Sequence, residues 1–516
     1  MLRYFAFVLL LLLGLPAPHL VAQEESDAPP PDVEGFTELE STRQGEVTIA
    51  GEKVRYEAKV GDLLLRSDVD GEASEPMARF TFVSYERTGV EDRHLRPVTF
   101  AFNGGPGSAS VWVHLGAFGP KRALLDDEGF PNTPPPGKLV DNEYSLLDAT
   151  DLVFIDPVST GFSRSAPGED ASQFHGYTND VASIGEFIRH WVTRNGRWAS
   201  PKFLAGESYG TTRAAGLAEY LQGRHGMYLN GICLISSVIN WQTKVFNVGN
   251  DLPHLLILPT MTAAAWYHGK LPERFETLEA ALAESEEFVL GDYATALMQG
   301  DRLPIKERQR IRSRIAELTG LSEAYVGQTD LRPEIFRFTK ELLRSEAKTV
   351  GRLDARFTGR DLDSAGERFE YDPSSAVTTG WYVSLMNDYL RRDLGYPREL
   401  PFRASAGAAV RPWNYHETGR TRGYGTNAYA NYAETLRSAM SRNPYLKILV
   451  MSGYYDFATP YFATDYTVDH MQLAPELRKN IVVEYYEAGH MMYIRLADLA
   501  KFREDYLELI RSAQER

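Results

Sequence analysis

The sequence predicts an α/β fold with a mostly parallel central sheet, antiparallel hairpins before it and a helical insertion within it. Residues 46–93 alternate apolar and polar side chains in short runs, which is typical of antiparallel strands. Short, continuous apolar runs follow, each before a turn that contains Gly, Ser or Asp, and such runs are typical of buried parallel strands. The runs are 98–102, 152–155, 202–205, 231–235, 446–451 and 481–485.

The N-terminal segment predicts export. Arg3 precedes an almost unbroken apolar stretch, residues 4–15, and Ala22 offers a cleavage point. We therefore expect residues 1–22 to be a signal peptide and residues 23–45, which open with an acidic, proline-rich tract, to be a flexible linker. Periplasmic or secreted localisation without a stable membrane anchor follows, and an uncleaved N-terminal anchor is the alternative.

Composition limits the classes of function. The chain has 516 residues with 70 acidic and 55 basic side chains, a net charge of −15, which disfavours nucleic acid and anionic membranes as partners. Cys233 is the one cysteine, so an intramolecular disulfide and thiolate-rich metal sites are excluded. The sequence contains neither a His-Glu-x-x-His motif nor an Asn-x-Ser/Thr site. We expect no catalytic metal, no cofactor and a bacterial type of export, and the oligomeric state stays open.

A helical insertion divides the predicted sheet domain in two. Between residues 242 and 382 the apolar side chains recur at helical spacing, as at Ile311 and Ile315. We expect residues 46–241 to form the first part of the core, residues 242–382 a helical cap, and residues 383–516 the second part of the core. Functional residues then belong at the carboxyl ends of the parallel strands.

The strongest chemical signal is the motif Gly206-Glu207-Ser208-Tyr209-Gly210. It stands between a predicted strand and a helical segment, where Gly-x-Ser-x-Gly forms a nucleophile elbow. The flanking glycines permit a strained turn that lifts the hydroxyl of Ser208 above the sheet. The alternative is a tight strand–helix turn with a capping serine.

Two later loops offer the partners that a nucleophilic serine needs. Asp456 follows the predicted strand 446–451, and His490 follows the strand 481–485. The chain order Ser, Asp, His and the positions after strand ends are those of an acyl-transfer triad on a parallel sheet. Taken singly, Asp456 is equally well explained as a turn residue and His490 as a loop histidine.

A glycine-rich loop, Asn103-Gly104-Gly105-Pro106-Gly107-Ser108, follows the first predicted parallel strand. Consecutive glycines let backbone amides approach a ligand closely. In an acyl-transfer site such a loop supplies one amide of the oxyanion hole, and the residue after the nucleophile, Tyr209, supplies the other. The alternative is a turn without a ligand.

Four blocks occur in a definite order: Asn-Gly-Gly-Pro-Gly at 103–107, Phe-Ile-Asp-Pro-Val-Ser-Thr-Gly-Phe-Ser at 154–163, Gly-Glu-Ser-Tyr-Gly at 206–210 and Gly-His-Met at 489–491. Together they resemble the signature blocks of the serine carboxypeptidases, which are α/β-hydrolases that remove the C-terminal residue of peptides. The resemblance extends from about residue 98 to residue 496. It implies an α/β-hydrolase fold and peptide substrates.

The resemblance also implies a role for each site residue. Ser208 is the nucleophile, His490 the general base and then acid, and Asp456 the group that holds the imidazole tautomer. The implied oxyanion-hole residues are Gly105 and Tyr209. The implied substrate-binding residues are Asn103, Gly104, Glu207 and Met491. A buried Glu207 has a raised pKa, and in its neutral form it can donate a hydrogen bond to a carboxylate, which favours activity at acidic pH.

The chain departs from the family pattern at three positions. Ala117 stands where the family usually has a second glutamate, Ala101 where it has a tryptophan, and Ser108 where it has a cysteine. The coupled carboxyl pair of the family is therefore excluded here. If Ser108 starts a helix, His114 lies one turn before Ala117 on the same face and becomes a candidate cation for the substrate carboxylate. An ordinary helix histidine is the alternative.

We therefore predict an exported serine carboxypeptidase that forms an acyl-enzyme on Ser208 and hydrolyses it with water activated by His490. Two alternatives stay open. One is a serine esterase or acyltransferase with the same triad, and the other is an inactive binding or scaffold protein that kept the fold. The sequence does not predict which side chains the substrate carries at the cleavage site.

Overall fold

The computed structural model describes residues 36–66, 75–416 and 429–515. The predicted signal peptide and the linker up to residue 35 lie outside these residues. The linker prediction is wrong for residues 40–45, because the first strand, Glu40–Ile49, already includes them. These residues pair in register with the next strand, from Glu40 opposite Gly61 onward, so backbone hydrogen bonds order a stretch that buries little side-chain surface.

The described strands follow one another in a pattern of hairpins and then of single strands separated by helices. They are β1 (Glu40–Ile49), β2 (Glu52–Arg66), β3 (Pro76–Arg87), β4 (Val98–Phe102), β5 (Lys121–Ala123), β6 (Leu139–Asp141), β7 (Asp151–Ile155), β8 (Arg164–Ser165), β9 (Lys202–Glu207), β10 (Gly231–Ile235), β11 (Thr349–Val350), β12 (Thr358–Gly359), β13 (Lys447–Gly453) and β14 (Ile481–Tyr486).

The central sheet has the strand order β1-β2-β3-β7-β4-β9-β10-β13-β14, with β8 paired to β3. Strands β1, β2, β3 and β7 are joined by antiparallel pairing, whereas β7, β4, β9, β10, β13 and β14 run parallel to their neighbours. The predicted parallel strands are confirmed at β4, β7, β9, β10, β13 and β14. The continuous apolar runs of β4, β7, β9 and β10 are buried on both faces, whereas β14, at the edge of the sheet, is partly exposed.

The helices pack on both faces of this sheet and build the insertion. They are α1 (Val111–Val113), α2 (Tyr177–Arg194), α3 (Tyr209–His225), α4 (Leu252–Leu256), α5 (Leu258–Tyr267), α6 (Leu278–Phe288), α7 (Ala294–Gln299), α8 (Ile305–Thr319), α9 (Glu323–Gln328), α10 (Ile335–Glu341), α11 (Pro373–Asp388), α12 (Ala433–Arg442), α13 (Tyr461–Asp469), α14 (Pro475–Arg478) and α15 (Leu496–Ser512). Within the described ranges, none of them combines the length and the apolar character that a membrane crossing requires.

Alternate residues of the central strands pack against opposite layers of helices. In β13, Leu449 belongs to the apolar cluster that includes α15, whereas Ile448 and Val450 belong to the cluster that includes α2, α3 and α12. Cys233 of β10 is fully buried in the first of these clusters, as predicted for a core residue. The result is an α/β-hydrolase fold, with a sheet between two helical layers.

The helical insertion lies between β10 and β13 and has an apolar cluster of its own. Helices α5 to α10 form most of that cluster, and Tyr455 and Phe457 from the loop after β13 join it. The predicted boundary at residue 382 is wrong, because α11 runs through it without a break from Pro373 to Asp388. Tyr382 on this helix packs in the sheet's own cluster, so α11 belongs to the sheet domain by its contacts.

Candidate active site

Ser208 occupies a sharp turn between β9 and α3. Its backbone has φ +60° and ψ −127°, a conformation that is strained for any residue with a Cβ. A Cβ at Gly206 would lie 2.2 Å from the carbonyl oxygen of Gly210, so the close approach of the two chain segments requires glycine there. The backbone amide of Ser208 donates to the carbonyl of Ile235 at 2.9 Å, which ties the turn to the neighbouring strand β10.

Asp456 and His490 lie on the loops that follow β13 and β14. Nδ1 of His490 lies 2.7 Å from Oδ2 of Asp456, and both side chains are buried. The other oxygen of Asp456 accepts hydrogen bonds from the backbone amides of Ala458 at 2.7 Å and Thr459 at 3.1 Å. The hydroxyl of Thr459 donates to Oδ2 at 2.5 Å. These bonds fix the carboxylate, and the carboxylate in turn orients the imidazole.

The His490 loop is also held through its backbone. The amide of His490 donates to the carbonyl of Leu353 at 2.6 Å, and its own carbonyl accepts from the hydroxyl of Ser236 at 2.7 Å. The preceding amide, of Gly489, donates to the carboxylate of Asp354 at 2.9 Å. The insertion therefore helps to position the histidine.

Burial and pairing act in opposite directions on the charges of this pair. Burial by itself would lower the pKa of His490, but the adjacent Asp456 carboxylate outweighs it and the pKa is raised above the ordinary value of histidine. Burial likewise opposes ionisation of Asp456, yet the pKa of Asp456 is lowered because His490 and Thr459 favour the ionised carboxylate. The pair is thus built to hold a carboxylate beside an imidazole that accepts a proton readily.

Glu207 precedes the serine and points into a buried polar cluster. Nδ2 of Asn103 donates to Oε1 of Glu207 at 2.8 Å, and the hydroxyl of Tyr493 donates to Oε2. Burial raises the pKa of Glu207 to about 7, although both of these hydrogen bonds and the nearby His490 act to lower it. The carboxyl group is therefore neutral in acidic solution and able to donate a hydrogen bond.

The glycine-rich loop after β4 packs directly against the elbow. A Cβ on Gly104 would lie 2.4 Å from the backbone nitrogen of Tyr209, so this contact requires glycine. Tyr209 is the first residue of α3, and its amide therefore has no carbonyl partner within the helix. The glycine-rich loop, which carries the amide of Gly105, and the elbow, which carries the amide of Tyr209, are thus in close contact.

A buried ion pair joins this loop to the elbow helix from behind. The guanidinium of Arg213 on α3 bonds both oxygens of Asp180, at 2.8 and 3.0 Å, and donates to the carbonyl of Asn103 at 2.7 Å. The hydroxyl of Tyr209 donates to the same Asp180 carboxylate at 3.2 Å. Because Arg213 is fully buried, this bidentate pair fixes the loop and the helix relative to each other.

Asp156, in the second family-like block, supports the loop rather than the chemistry. Its Oδ1 accepts from both the amide and the hydroxyl of Ser110, each at 2.8 Å. A Cβ at Gly161 would lie 1.9 Å from its Oδ2, which explains the glycine in this block. The carboxylate therefore anchors the segment that carries Asn103.

A cleft of about 490 Å³ brings most of the predicted site residues together. The predicted residues that line it are Asn103, Gly104, Gly105, Glu207, Ser208, His490 and Met491. Asp456 is fully buried behind His490, and the ring of Tyr209 is buried beside Arg213, so their side chains do not line the cleft. Residues of the insertion and of α11 also line the cleft.

Three residues in or next to this cleft were not predicted from the sequence. Tyr493 binds Glu207 from a position three residues after His490, and its place in the Gly-His-Met-Met-Tyr run was the available signal. Lys244 and Arg352 line the cleft from the insertion, and their sequence surroundings carry no motif. In the part of the chain that the structure describes, no group of three His, Cys, Asp or Glu side chains is arranged to hold a metal ion.

The structure contradicts the candidate role of His114 as a cation for a substrate carboxylate and agrees with the alternative, an ordinary helix histidine. The imidazole is buried and stacked on Phe154, with 4.0 Å between ring centres, and its Nε2 lies 2.8 Å from the hydroxyl of Tyr85. Burial lowers the pKa of His114 to about 3, so the group is neutral. Ala117 is also buried in the apolar core, and Tyr493 packs against its neighbour Gly116.

A family model described as serine carboxypeptidase matches residues 75–493. The chain is similar to serine carboxypeptidase-like 11 of Arabidopsis thaliana, with 31% identity over 188 residues, 36% of this chain and 39% of that protein. It is 30% identical to serine carboxypeptidase-like 12 of the same plant over 27% of this chain and 30% of that protein. The chain thus spans well under half of the length of these relatives.

The chain is also similar to solved structures. Kex1(Δ)p, a prohormone-processing carboxypeptidase from Saccharomyces cerevisiae, is 17% identical with a TM-score of 0.49, over 87% of this chain and 90% of that chain. An aryl esterase described as putative, from Burkholderia cenocepacia, is 13% identical with a TM-score of 0.35, over 92% of this chain and 100% of that chain.

Proposed function

Because this chain belongs to the serine carboxypeptidase family, we propose that it releases C-terminal amino acids from peptides by way of an acyl-enzyme on Ser208. One observation carries the proposal. The serine at the strained elbow and the hydrogen-bonded His490–Asp456 pair stand at the carboxyl ends of parallel strands, and the serine and histidine line one cleft. Peptides with a free C-terminus are the proposed substrates.

In the acylation step, Oγ of Ser208 attacks the carbonyl carbon of the last peptide bond. Nδ1 of His490 is engaged by Asp456, which leaves Nε2 to accept the hydroxyl proton. The proton then passes from Nε2 to the nitrogen of the departing amino acid as the peptide bond breaks. Nε2 of His490 then takes a proton from a water molecule, which attacks the carbonyl carbon of the acyl-enzyme. As the ester bond breaks, Nε2 returns this proton to Oγ of Ser208 and the shortened peptide leaves.

Backbone amides stabilise the negative charge that develops on the carbonyl oxygen. The amide of Tyr209 at the start of α3 and the amide of Gly105 in the glycine-rich loop are the proposed donors. The positive end of the α3 dipole adds to the effect. The tight contact of Gly104 with the elbow supports this assignment, because it holds the glycine-rich loop next to the backbone of Tyr209 before a substrate binds.

The terminal carboxylate of the substrate binds on the side of the cleft that holds Asn103, Gly104 and Glu207. A neutral Glu207 donates a hydrogen bond to this carboxylate, and Asn103 has a second Nδ2 hydrogen besides the one used on Glu207. The hydroxyl of Tyr493 donates a hydrogen bond to Oε2 of Glu207 and so orients this carboxyl group, as a second carboxyl group does in the family. Met491 lines the cleft beside His490 and packs against the substrate side chain.

Two assays separate this proposal from its alternatives. Covalent labelling of Ser208 by a fluorophosphonate, located by peptide mapping and lost in Ser208→Ala, excludes an inactive scaffold. Hydrolysis of a blocked dipeptide is then compared with that of its matching ester. If the ester is cleaved and the peptide is not, the protein is an esterase or acyltransferase and the proposal is wrong.

A further inference from the structure

Two cationic side chains, Lys244 and Arg352, line the catalytic cleft, and neither has a part in the mechanism above. Their presence contrasts with the net charge of −15 for the chain. Among the described residues that line the cleft, Glu207 is the one carboxyl group, and its pKa is raised by burial to about 7. The cleft is therefore electropositive in acidic solution, within a protein that is acidic elsewhere.

Lys244 is fixed beside the loop that carries the catalytic aspartate. Its Nζ donates to the carbonyl of Ala458 at 2.9 Å and lies 5.2 Å from the centre of the Trp241 ring. An ammonium group has three hydrogens to donate, so this bond leaves donors directed away from the carbonyl. The nearest catalytic carboxylate, Asp456, is already bonded to His490 and to the loop that follows it. It therefore provides no direct ion pair for the lysine.

Arg352 contacts the same loop through its backbone. Its carbonyl accepts from the amide of Phe457 at 3.0 Å, and the next residue, Leu353, binds the amide of His490. Its side chain is 31% exposed, and its Nε lies 3.9 Å from the carboxylate of Asp372. That carboxylate also accepts from the backbone amides of Arg352 at 3.0 Å and Leu353 at 3.2 Å, so the guanidinium is one of several groups that it contacts.

Both cationic residues contact the loop after β13 at adjacent positions, Lys244 at Ala458 and Arg352 at Phe457. Burial lowers the pKa of Lys244 to about 8; the charge of Arg352 also acts to lower this pKa, and that of Asp456 acts to raise it. Two like charges that line one partly desolvated cleft disfavour each other, and an anion that binds beside them offsets that cost. Such an arrangement is a site for a carboxylate, because charge-assisted hydrogen bonds gain strength where water is excluded.

We propose that Lys244 and Arg352 form a carboxylate-binding subsite that selects substrates with an Asp or Glu side chain next to the scissile bond. This inference rests on the proposed carboxypeptidase function. The terminal carboxylate is already provided for by Asn103, Gly104 and Glu207, which come from the loop after β4 and from the elbow. The cations come from loops around His490 and Asp456, so the carboxylate that they bind is a different one, carried by a substrate side chain.

The test compares blocked dipeptides that differ only in carboxylate against amide. Benzyloxycarbonyl-Ala-Glu is paired with Ala-Gln to test the released residue, and Glu-Ala is paired with Gln-Ala to test the residue before it. In at least one of these two pairs, we expect kcat/KM for the peptide with Glu to exceed kcat/KM for the peptide with Gln by at least about tenfold, as for a hydrogen bond to a charged group. We call this quotient the Glu/Gln ratio. In Lys244→Met and in Arg352→Gln, this ratio falls toward one.

Arg360→Gln is the matched control, because Arg360 is an exposed cation near the end of β12 and does not line the cleft. It removes one positive charge from the same region and should leave the ratio at its wild-type value. Wild-type enzyme that cleaves all four peptides with ratios near one overturns the subsite and leaves the carboxypeptidase proposal intact. Failure to cleave any of the four peptides overturns both.

Discussion

Glu207→Gln tests the physical basis of carboxylate recognition. In the folded protein the pKa of Glu207 is raised by burial to about 7, so the group donates a hydrogen bond to a substrate carboxylate only below that pH. Glutamine has a similar shape and keeps an N–H donor at every pH. We therefore expect the substitution to remove the pH dependence of binding while it retains binding in acidic solution.

The size of the effect follows from the fraction of Glu207 that is protonated. With a pKa of about 7, this fraction falls from about nine tenths at pH 6 to about one tenth at pH 8, so the apparent Kd rises about tenfold. Calorimetry on the Ser208→Ala background measures this Kd without turnover. The amidated peptide is the matched control, since it has no terminal carboxylate and should bind with the same weak affinity at both pH values.

The same group affects stability with a definite sign. Its folded-state pKa of about 7 lies above the ordinary value of 4.5, so the folded state holds the proton more tightly than the unfolded chain does. The contribution of Glu207 to stability is therefore present below pH 4.5 and is lost as the pH rises to about 7. The loss amounts to about 3 kcal/mol, at 1.36 kcal/mol for each pKa unit. Glu207→Gln lacks this loss, and urea unfolding across that pH range measures the difference between the two proteins.

Two results would refute this reasoning. One is a wild-type Kd for the free-acid peptide that stays constant between about pH 6 and about pH 8. The other is a Glu207→Gln variant whose Kd rises in parallel with that of the wild type. In either case the carboxyl group of Glu207 is not the donor, and its position in the cleft has another purpose.

Three further substitutions test separate parts of the site. Asp456→Asn should lower kcat by about 10⁴-fold, since the imidazole loses its orienting carboxylate, and a loss under about tenfold in titrated enzyme would contradict the triad. Tyr493→Phe removes a hydrogen bond that lowers the pKa of Glu207, so the pH at which substrate binding weakens should shift upward. An unchanged pH dependence of binding would show that Tyr493 does not affect the ionisation of Glu207. Arg213→Met leaves the Asp180 carboxylate buried without its partner and should destabilise the protein by about 3–5 kcal/mol in urea unfolding, whereas an unchanged midpoint would show that the ion pair is not needed.

The sequence predicts the sheet well, because its central strands are buried on both faces. Strands β4 and β10 begin and end at the predicted residues, and β9 extends the predicted run by two residues into the elbow. Strand β1 is different. Residues 40–45 are polar and partly exposed, and only their backbone pairing with β2 makes them a strand, which no local pattern reveals.

Some residues of the candidate site are predictable from the sequence and others are not. Ser208, Asp456 and His490 each follow a strand end in a recognisable motif, so the fold brings them near each other without further information. Tyr493 was missed because its hydrogen bond joins residues 286 positions apart. His114 was a candidate cation with an ordinary helix histidine as the alternative, and its stacking on Phe154 supports the alternative. The helix widens at His114–Phe118, where the amide of Gly119 bonds the carbonyl of His114. That widening changes which side chains share a face, and the imidazole turns into the core.

The most direct test of the proposed carboxypeptidase activity is the fate of one ten-residue peptide, supplied with a free and with an amidated C-terminus and followed by mass spectrometry. We expect stepwise loss of residues from the free C-terminus, little or no loss from the amidated peptide, and none with Ser208→Ala. Equal cleavage of both peptides, or cleavage at internal bonds, would contradict it.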